Sequence, residues 1–254
     1  MGQISTNRSG LPTIAEFNFV GMNNKVDPSR LDIAKGECTA IINMLPDARG
    51  RVYTRPGYTI KDQATYLGSW GTGNIAYVIK DSAIYSFNGT NLVYVTSITP
   101  NADFDFCEVN DVVVFSNGTD YKLLKGNAEL TPQLPIAMPE FKVAPVAGIS
   151  LEFYKGRLYI AKDNILYCTD PFTVECMDER FCVVDIYDAP ITMVRKVDDG
   201  LYVSTEEEVY YLDGDDPFVG EGFTKHILLG YGIIKGTAIR TNGMLFPSQI
   251  LAVQ

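Results

Sequence analysis

Apolar and polar residues alternate with period two along most of this chain, and the alternation comes in pairs of short runs. Gly73–Gly89 reads GNIAYVIKDSAIYSFNG, Asn110–Gly126 reads NDVVVFSNGTDYKLLKG, and Lys155–Pro171 reads KGRLYIAKDNILYCTDP. Asp199–Gly214 follows as DGLYVSTEEEVYYLDG and Asn242–Gln254 as NGMLFPSQILAVQ. Each copy is an opening turn, an apolar strand, a polar reversal and a second strand rich in Tyr, Leu or Val. With Ile75, Val112, Leu158, Leu201 and Met244 taken as equivalent, the steps are 37, 46, 43 and 43 residues. Strand-only self-similarity at roughly 40 residues is the signature of propeller blades. The pattern predicts an all-β chain, a β-propeller of about five blades built from repeated antiparallel hairpins.

Between the hairpins, Leu92–Ile98, Val143–Phe153, Phe181–Ile186 with Ile191–Lys196, and His226–Leu229 with Thr237–Arg240 read as the outer strands of the blades. Residues 132–145 carry Pro132, Pro135, Pro139 and Pro145, too many prolines for a central strand, and read as a linker. Ahead of the repeat, residues 1–20 form a polar N-terminal arm, residues 21–62 a strap, and residues 63–254 the propeller. Within the strap, Asp27-Pro28 and Gly36 mark turns, and a short helix from Pro28 to Lys35 is predicted, with Asp27 as N-cap. Cys38–Leu45 is β-prone, and a second short strand follows the PDARG turn. The fifth copy has no outer strands after it; the strap, residues 21–62, is expected to supply them and so hide the edges of the ring, with pairing to another copy of the chain as the alternative.

Composition bounds the function classes. A chain of 254 residues with 46% hydrophobic residues can bury a substantial single core, and 15 Tyr, 13 Phe and 22 Gly suit pleated surfaces separated by turns. No run of about 18 apolar residues occurs, so no membrane span is expected. The first residues lack the basic and apolar regions of a secretory signal. Met1-Gly2 with Thr6 fits the loose myristoylation pattern but lies in a polar arm, and carries little weight. Cysteines 38, 107, 168, 176 and 182 form no CxxC pair, and His226 is the single histidine, so the thiols read as free groups in a reducing cytoplasm and no zinc site is expected. The net charge is −10. An acidic surface opposes stable nucleic-acid binding, yet it lets a polyanion pass without sticking.

Candidate chemistry is sparse. Glu206-Glu207-Glu208 at one reversal reads as a solvated turn, and Asp213-Gly214-Asp215-Asp216 resembles a calcium-loop fragment without the later bidentate Glu. Asp105, Glu108, Asp185 and Asp188 are generic candidates for a paired-carboxylate hydrolase. No GxSxG, GxxxxGK[ST] or HExxH is present. Asn88-Gly89-Thr90 and Asn117-Gly118-Thr119 fit the glycosylation pattern but read as Asn-Gly turns. Trp70 with Tyr66 and Tyr85 reads as rings buried between blades, with a sugar platform as the functional alternative.

The segment 36–59, GECTAIINMLPDARGRVYTRPGYT, discriminates most. Its Asn43, Met44 and Leu45, followed by a Gly-containing turn and then Arg55, Pro56, Gly57, Tyr58 and Thr59, resembles the N-terminal region of the tail nozzle, or packaged-DNA-stabilising, proteins of short-tailed bacteriophages. Gly21-Met22-Asn23-Asn24 and Asp27-Pro28 resemble openings of the same proteins, and the likeness spans roughly residues 20–90 in motif. Pro56 fixes φ and Gly57 permits positive φ, so the stretch makes a rigid turn.

What the resemblance implies is a non-enzymatic subunit of a phage tail, without cofactor. It would form a homo-oligomeric ring on portal, adaptor and other tail proteins, made in the host cytoplasm and ending in the virion. Such a ring holds genomic DNA and then passes it without binding it tightly. The chain is shorter than those proteins, which leaves open a smaller tail-completion or connector role. Two other classes stay in view, a tail-tip carbohydrate- or receptor-binding propeller and a propeller hydrolase.

Overall fold

The computed structural model describes residues 64–72, 75–135 and 139–235, and outside those spans only the backbone of short strands. The chain divides into two compact units, Met1–Gln63 and Ala64–Gln254. In the first, β1 (Ser5–Thr6) pairs antiparallel with β2 (Pro12–Thr13), and β3 (Gly21–Met22) pairs parallel with β4 (Glu37–Cys38). β5 (Met44–Pro46) pairs antiparallel with β6 (Val52–Thr54), which sets Met44 opposite Thr54 and Leu45 opposite Tyr53. The helix expected over Pro28–Lys35 lies outside the described residues.

The second unit is an all-β propeller of four-stranded antiparallel blades. Blade 1 is β7 (Gly68–Thr72), β8 (Ile75–Lys80), β9 (Ala83–Phe87) and β10 (Leu92–Ser97), and blade 2 is β11 (Asp105–Val109), β12 (Val112–Ser116), β13 (Tyr121–Lys125) and β14 (Ala128–Leu130). A 3-10 turn at Pro139–Phe141 leads into β15 (Lys142–Val143), which lies in the proline-rich linker. Blade 3 is β16 (Ser150–Tyr154), β17 (Arg157–Lys162), β18 (Ile165–Cys168) and β20 (Val183–Ile186). Between its last two strands β19 (Met177–Asp178) leaves the blade to pair with β15. Blade 4 is β21 (Ile191–Val197), β22 (Gly200–Thr205), β23 (Val209–Asp213) and β24 (Thr224–Leu229). β25 (Ala238–Gly243) and β26 (Phe246–Ala252) then pair as a two-stranded sheet. Among the described residues there is no α-helix, and the sheets do not close into one continuous ring.

The first four repeated hairpins are the second and third strands of each blade. The blade 1 turn carries the positive φ values that two-residue reversals between right-twisted strands need, Asp81 and Ser82 at 49° and 62°. Equivalent pairs join the first two strands of the next blades, Asn110 and Asp111 at 48° and 63°, then Lys155 and Gly156 at 45° and 90°.

Two sequence expectations change. Segments around 143–153, 191–196 and 237–240 were expected outside the hairpins of their blades, but β16, β21 and β25 each open the following sheet. β16 runs beside β11 and β21 beside β16, so these are inner strands. The fifth copy also differs: Phe246–Ala252 is one continuous strand, and its partner is Ala238–Gly243. No glycine stands between Pro247 and Gln254 to supply an internal reversal, whereas Gly243 sits where the chain does turn.

The hydrophobic effect acts between the blades, and on both faces of β12 and β17. On β12, Val113 and Phe115 join Tyr77, Ile79, Ile84 and Phe106 against blade 1, while Val114 joins Leu151, Leu158 and Ile160 against blade 3. On β17 the alternation repeats: Leu158 and Ile160 face blade 2, Tyr159 and Ala161 face blade 4 with Val194, Leu201 and Leu212. Such strands read as nearly continuous apolar runs because both faces are covered. Each of the buried Val, Leu, Ile and Phe side chains contributes roughly 1.5–3 kcal/mol by leaving water.

Hydrogen bonds then tie successive blades at both ends. Ser116 Oγ donates to the Gly148 carbonyl at 2.7 Å and accepts from its N–H at 2.8 Å. A Cβ at Gly148 would lie 2.3 Å from the Ala161 carbonyl, so only glycine lets the linker pass there. Ser204 accepts from the Ile233 N–H at 2.8 Å in the same manner, holding the segment that leaves blade 4.

Candidate functional site

The inner strands of three blades bring the polar chemistry together. Asp105 opens β11, and its Oδ2 accepts from the Leu151 N–H at 2.9 Å, from Ser150 Oγ at 3.3 Å and from Arg195 Nη1 at 2.8 Å. Arg195 Nη1 also donates to the carbonyls of Leu151 and Val194, and Ser150 Oγ accepts from the Val194 N–H at 3.1 Å. One carboxylate and one guanidinium therefore lock the inner strands of blades 2, 3 and 4. Burial works against the Arg195 charge, but the Asp105 carboxylate together with Glu152 outweighs it and holds the guanidinium above its ordinary pKa.

Above this knot lies a half-open cleft of about 420 Å³. Asp103, Thr192, Arg195 and Lys235 give it polar walls, and Leu67 and Phe104 line an apolar side. At its mouth Lys235 Nζ reaches Asp103 Oδ2 at 3.1 Å, so the segment after blade 4 meets the segment before blade 2. Opposite charges with apolar surface make a place for a small polar or zwitterionic group, while Asp105 is already engaged by three donors.

The other carboxylates singled out in the sequence do not converge here. Glu108 is exposed on β11. Asp185 sits on the outer strand of blade 3 in an ion pair with Lys225 at 2.8 Å, and Asp188 is exposed beyond that strand. The hydrolase arrangement of two facing acids is thus not assembled from these four. Glu206–Glu208 form a turn held by Thr205 Oγ1, which accepts from the N–H groups of Glu207 and Glu208. Tyr210 donates to the Glu208 carboxylate. Asp215 pairs with Lys155 at 3.3 Å and Asp216 with Arg157 at 2.8 Å. Among the described residues no cluster of three metal-ligating groups occurs.

His226 is exposed on β24 with its ring stacked on Tyr211 at 6.4 Å. Asn88 and Asn117 cap their turns through Oδ1, which accepts from the two following amide groups on the loop, and only the glycines take positive φ, 91° and 83°. Trp70 packs between Tyr77 and Phe106 at 6.4 and 6.0 Å, part of the core between blades 1 and 2, and Tyr85 meets Tyr94 instead. Cys168, Cys176 and Cys182 are buried free thiols and Cys107 is half-buried. Burial pushes Cys107 and Cys168 up to about 12 and Cys176 up to about 11, which removes the thiolate character that reactivity needs.

Of the motif residues, Met44 and Leu45 lie on β5, while Asn43, Arg55, Pro56, Gly57, Tyr58 and Thr59 lie outside the described residues. Arg195 and Ser150 carried no sequence signal, since a lone Arg in an apolar strand matches no motif. Only its place on an inner strand, beside the openings of β11 and β16, gives it partners.

No known family and no curated protein matches this chain. Solved structures similar to it include the computationally designed Ika4 protein, at 14% identity over 66% of this chain and 92% of that one, with a TM-score of 0.42. The designed Ika8 protein is similar at 11% identity over 76% and 72%, with a TM-score of 0.41. Sqt1 of Saccharomyces cerevisiae is similar at 13% identity over 79% of this chain and 58% of that one, with a TM-score of 0.46. At these TM-scores the likenesses add nothing to the sheet order above, on which the propeller description rests.

Proposed function

We propose that this chain is a structural virion protein of a tailed bacteriophage, a nozzle or connector subunit that assembles as a ring around the DNA channel. The observation that carries the reading is the use made of the inner-strand polar groups. Asp105, Ser150 and Arg195 spend their hydrogen bonds on joining three blades, as a load-resisting scaffold requires. The resemblance of residues 36–59 supplies the tail context, and the charge of −10 suits a wall along which DNA slides. The partners would be further copies of the chain together with portal, adaptor and tail proteins.

The test is assembly. Purified protein mixed with portal and adaptor proteins should form rings visible by electron microscopy. Deletion of residues 1–19 should leave the circular dichroism spectrum unchanged and abolish the rings. A full-length protein that stays monomeric beside those partners overturns the reading. A second reading, a carbohydrate- or receptor-binding propeller, is favoured by the cleft with its Asp103–Lys235 mouth. Saturable glycan binding by the monomer, lost in Lys235→Ala, would select it.

A further inference from the structure

The loops between the third and fourth strands of each blade are very unequal. Blade 1 turns over residues 88–91 and blade 2 over residues 126–127, whereas blades 3 and 4 use residues 169–182 and 214–223. These two long loops meet. Phe181 packs edge-on against Phe218 with ring centroids 6.2 Å apart, and the Arg157 guanidinium lies 5.3 Å from the Phe218 ring while bonding Asp216 at 2.8 Å. On the same turn, Phe172 accepts a position against Gly156, where an added Cβ would come within 3.0 Å of its ring, and donates its N–H to the Gly156 carbonyl.

The apolar groups gathered there face water. Phe172 is 85% exposed, Val219 69%, Phe181 58% and Phe218 38%. Phe172 also has φ of 62°, a left-handed backbone that a bulky residue rarely adopts. A glycine or asparagine at that position would relieve the backbone and cover the exposed surface less. The fold therefore holds a phenyl ring outward at a cost in both backbone and hydration, and Phe172 and Val219 add exposed apolar area to the two loops that Phe181 and Phe218 join.

We infer that this surface docks a protein segment that presents aliphatic side chains among lysines or arginines. The charge around the patch selects that chemistry. Residues 169–182 and 214–223 carry seven carboxylates and one arginine. Lys142, Lys155 and Arg157 answer some of these charges from neighbouring segments, and Arg157 and Arg180 lie over the Phe218 and Phe181 rings, but the seven carboxylates outnumber these four cations and leave the two loops acidic overall. Facing a second copy, the acidic rim would meet itself, which opposes self-association through this face. A basic apolar segment satisfies both features: its aliphatic groups cover the phenyl rings and its cations meet the rim. The inference stands on the loops alone and is independent of the tail assignment.

The experiment uses the full chain and fluorescein-labelled short peptides, one alternating Lys with Leu, one alternating Lys with Ser and one alternating Glu with Leu. Fluorescence anisotropy should show binding of the Lys/Leu peptide, weaker by at least about tenfold for each of the other two. Phe172→Ala and Phe181→Ala should each weaken the Lys/Leu complex by about tenfold, with melting temperatures unchanged. Phe172→Gly should weaken it as much while raising the melting temperature, because glycine accepts the left-handed backbone without strain. Equal affinity for the Lys/Leu and Lys/Ser peptides overturns the inference, as does binding indifferent to the phenylalanine changes. So does a dimer in sedimentation that Phe172→Ala dissolves and the Lys/Leu peptide does not.

Discussion

Tyr154 donates its hydroxyl proton to the Gly214 carbonyl at 2.8 Å, from the inner strand of blade 3 to the loop that follows the third strand of blade 4. Tyr77 of blade 1 reaches Gly126 of blade 2 at 2.8 Å, and Tyr121 of blade 2 reaches Val174 of blade 3 at 2.7 Å. Each blade thus fastens the corresponding loop of the next with one tyrosine. Replacing any of the three with Phe keeps the ring and removes the hydrogen bond, leaving a carbonyl to find water. Each change is expected to cost about 1 kcal/mol. Tyr77→Phe and Tyr154→Phe act at different interfaces, so their effects should add within about 0.5 kcal/mol. Urea unfolding should show lower midpoints at unchanged slope. Midpoints equal to that of the unmodified protein would show that the tethers contribute nothing.

The Asp105–Arg195 pair joins positions 90 residues apart at 2.8 Å. Arg195→Met leaves the Asp105 carboxylate half-buried among weaker donors, and a loss of about 1.5–3 kcal/mol is expected. Asp105→Asn should lose a comparable amount, because Arg195 then keeps its charge without its hydrogen-bonded counter-ion. The double variant should lose less than the two singles together, with a coupling of about 0.5–3 kcal/mol. Strictly additive losses in a denaturation cycle would mean that the two groups act separately.

Much of the blade architecture was legible from period-two alternation and turn chemistry, because the second and third strands carry both. Val112–Ser116 and Arg157–Lys162 are apolar on both faces, and the positive-φ residues of the turns beside them are Asp, Asn or Gly except for Lys155. The first strands were harder to place. Ser150–Tyr154 and Ile191–Val197 have the same apolar patterning as outer strands, and only packing against the preceding blade makes them inner. The tyrosine tethers had no period to find: Tyr77, Tyr121 and Tyr154 occupy second, third and first strands of their blades. What they share is a target carbonyl in three dimensions. The same holds for the cleft, since Asp103, Arg195 and Lys235 come from three separate stretches of chain.

Asp178 gives the protein a defined acid response. Arg180 donates to both of its carboxylate oxygens, at 2.9 and 2.8 Å, the Arg180 N–H adds a bond at 3.1 Å, and Lys142 adds another. These donors hold the carboxyl far below the usual range, the Arg180 side chain foremost. A carboxylate depressed in the folded state stabilises fully above its unfolded pKa of about 3.9, and that stabilisation is lost as pH falls toward the folded value. Asp178→Asn removes the proton linkage. Melting temperatures of the two proteins should differ most near neutral pH and converge as pH falls from about 4 to about 2. A gap that stays constant over that window would show that Asp178 stabilises without its charge.

Tyr159 is the counter-case to Tyr154. Its ring is fully buried against Tyr154 and Phe223, at 6.4 and 5.9 Å between centroids, and among the described residues its hydroxyl has no hydrogen-bond partner. Burial pushes its ionisation far above the ordinary tyrosine value, as expected of a phenol removed from water. An unpaired buried hydroxyl costs about 1–3 kcal/mol of desolvation, and Phe keeps the ring packing without that cost. Tyr159→Phe should therefore match or exceed the stability of the unmodified protein, by up to roughly 1 kcal/mol. Tyr154→Phe, five positions earlier on the neighbouring strand, should fall below it. Urea midpoints of the three proteins decide the matter, and a Tyr159→Phe midpoint lower than that of Tyr154→Phe would mean that the hydroxyl at 159 is the one that holds the blades together.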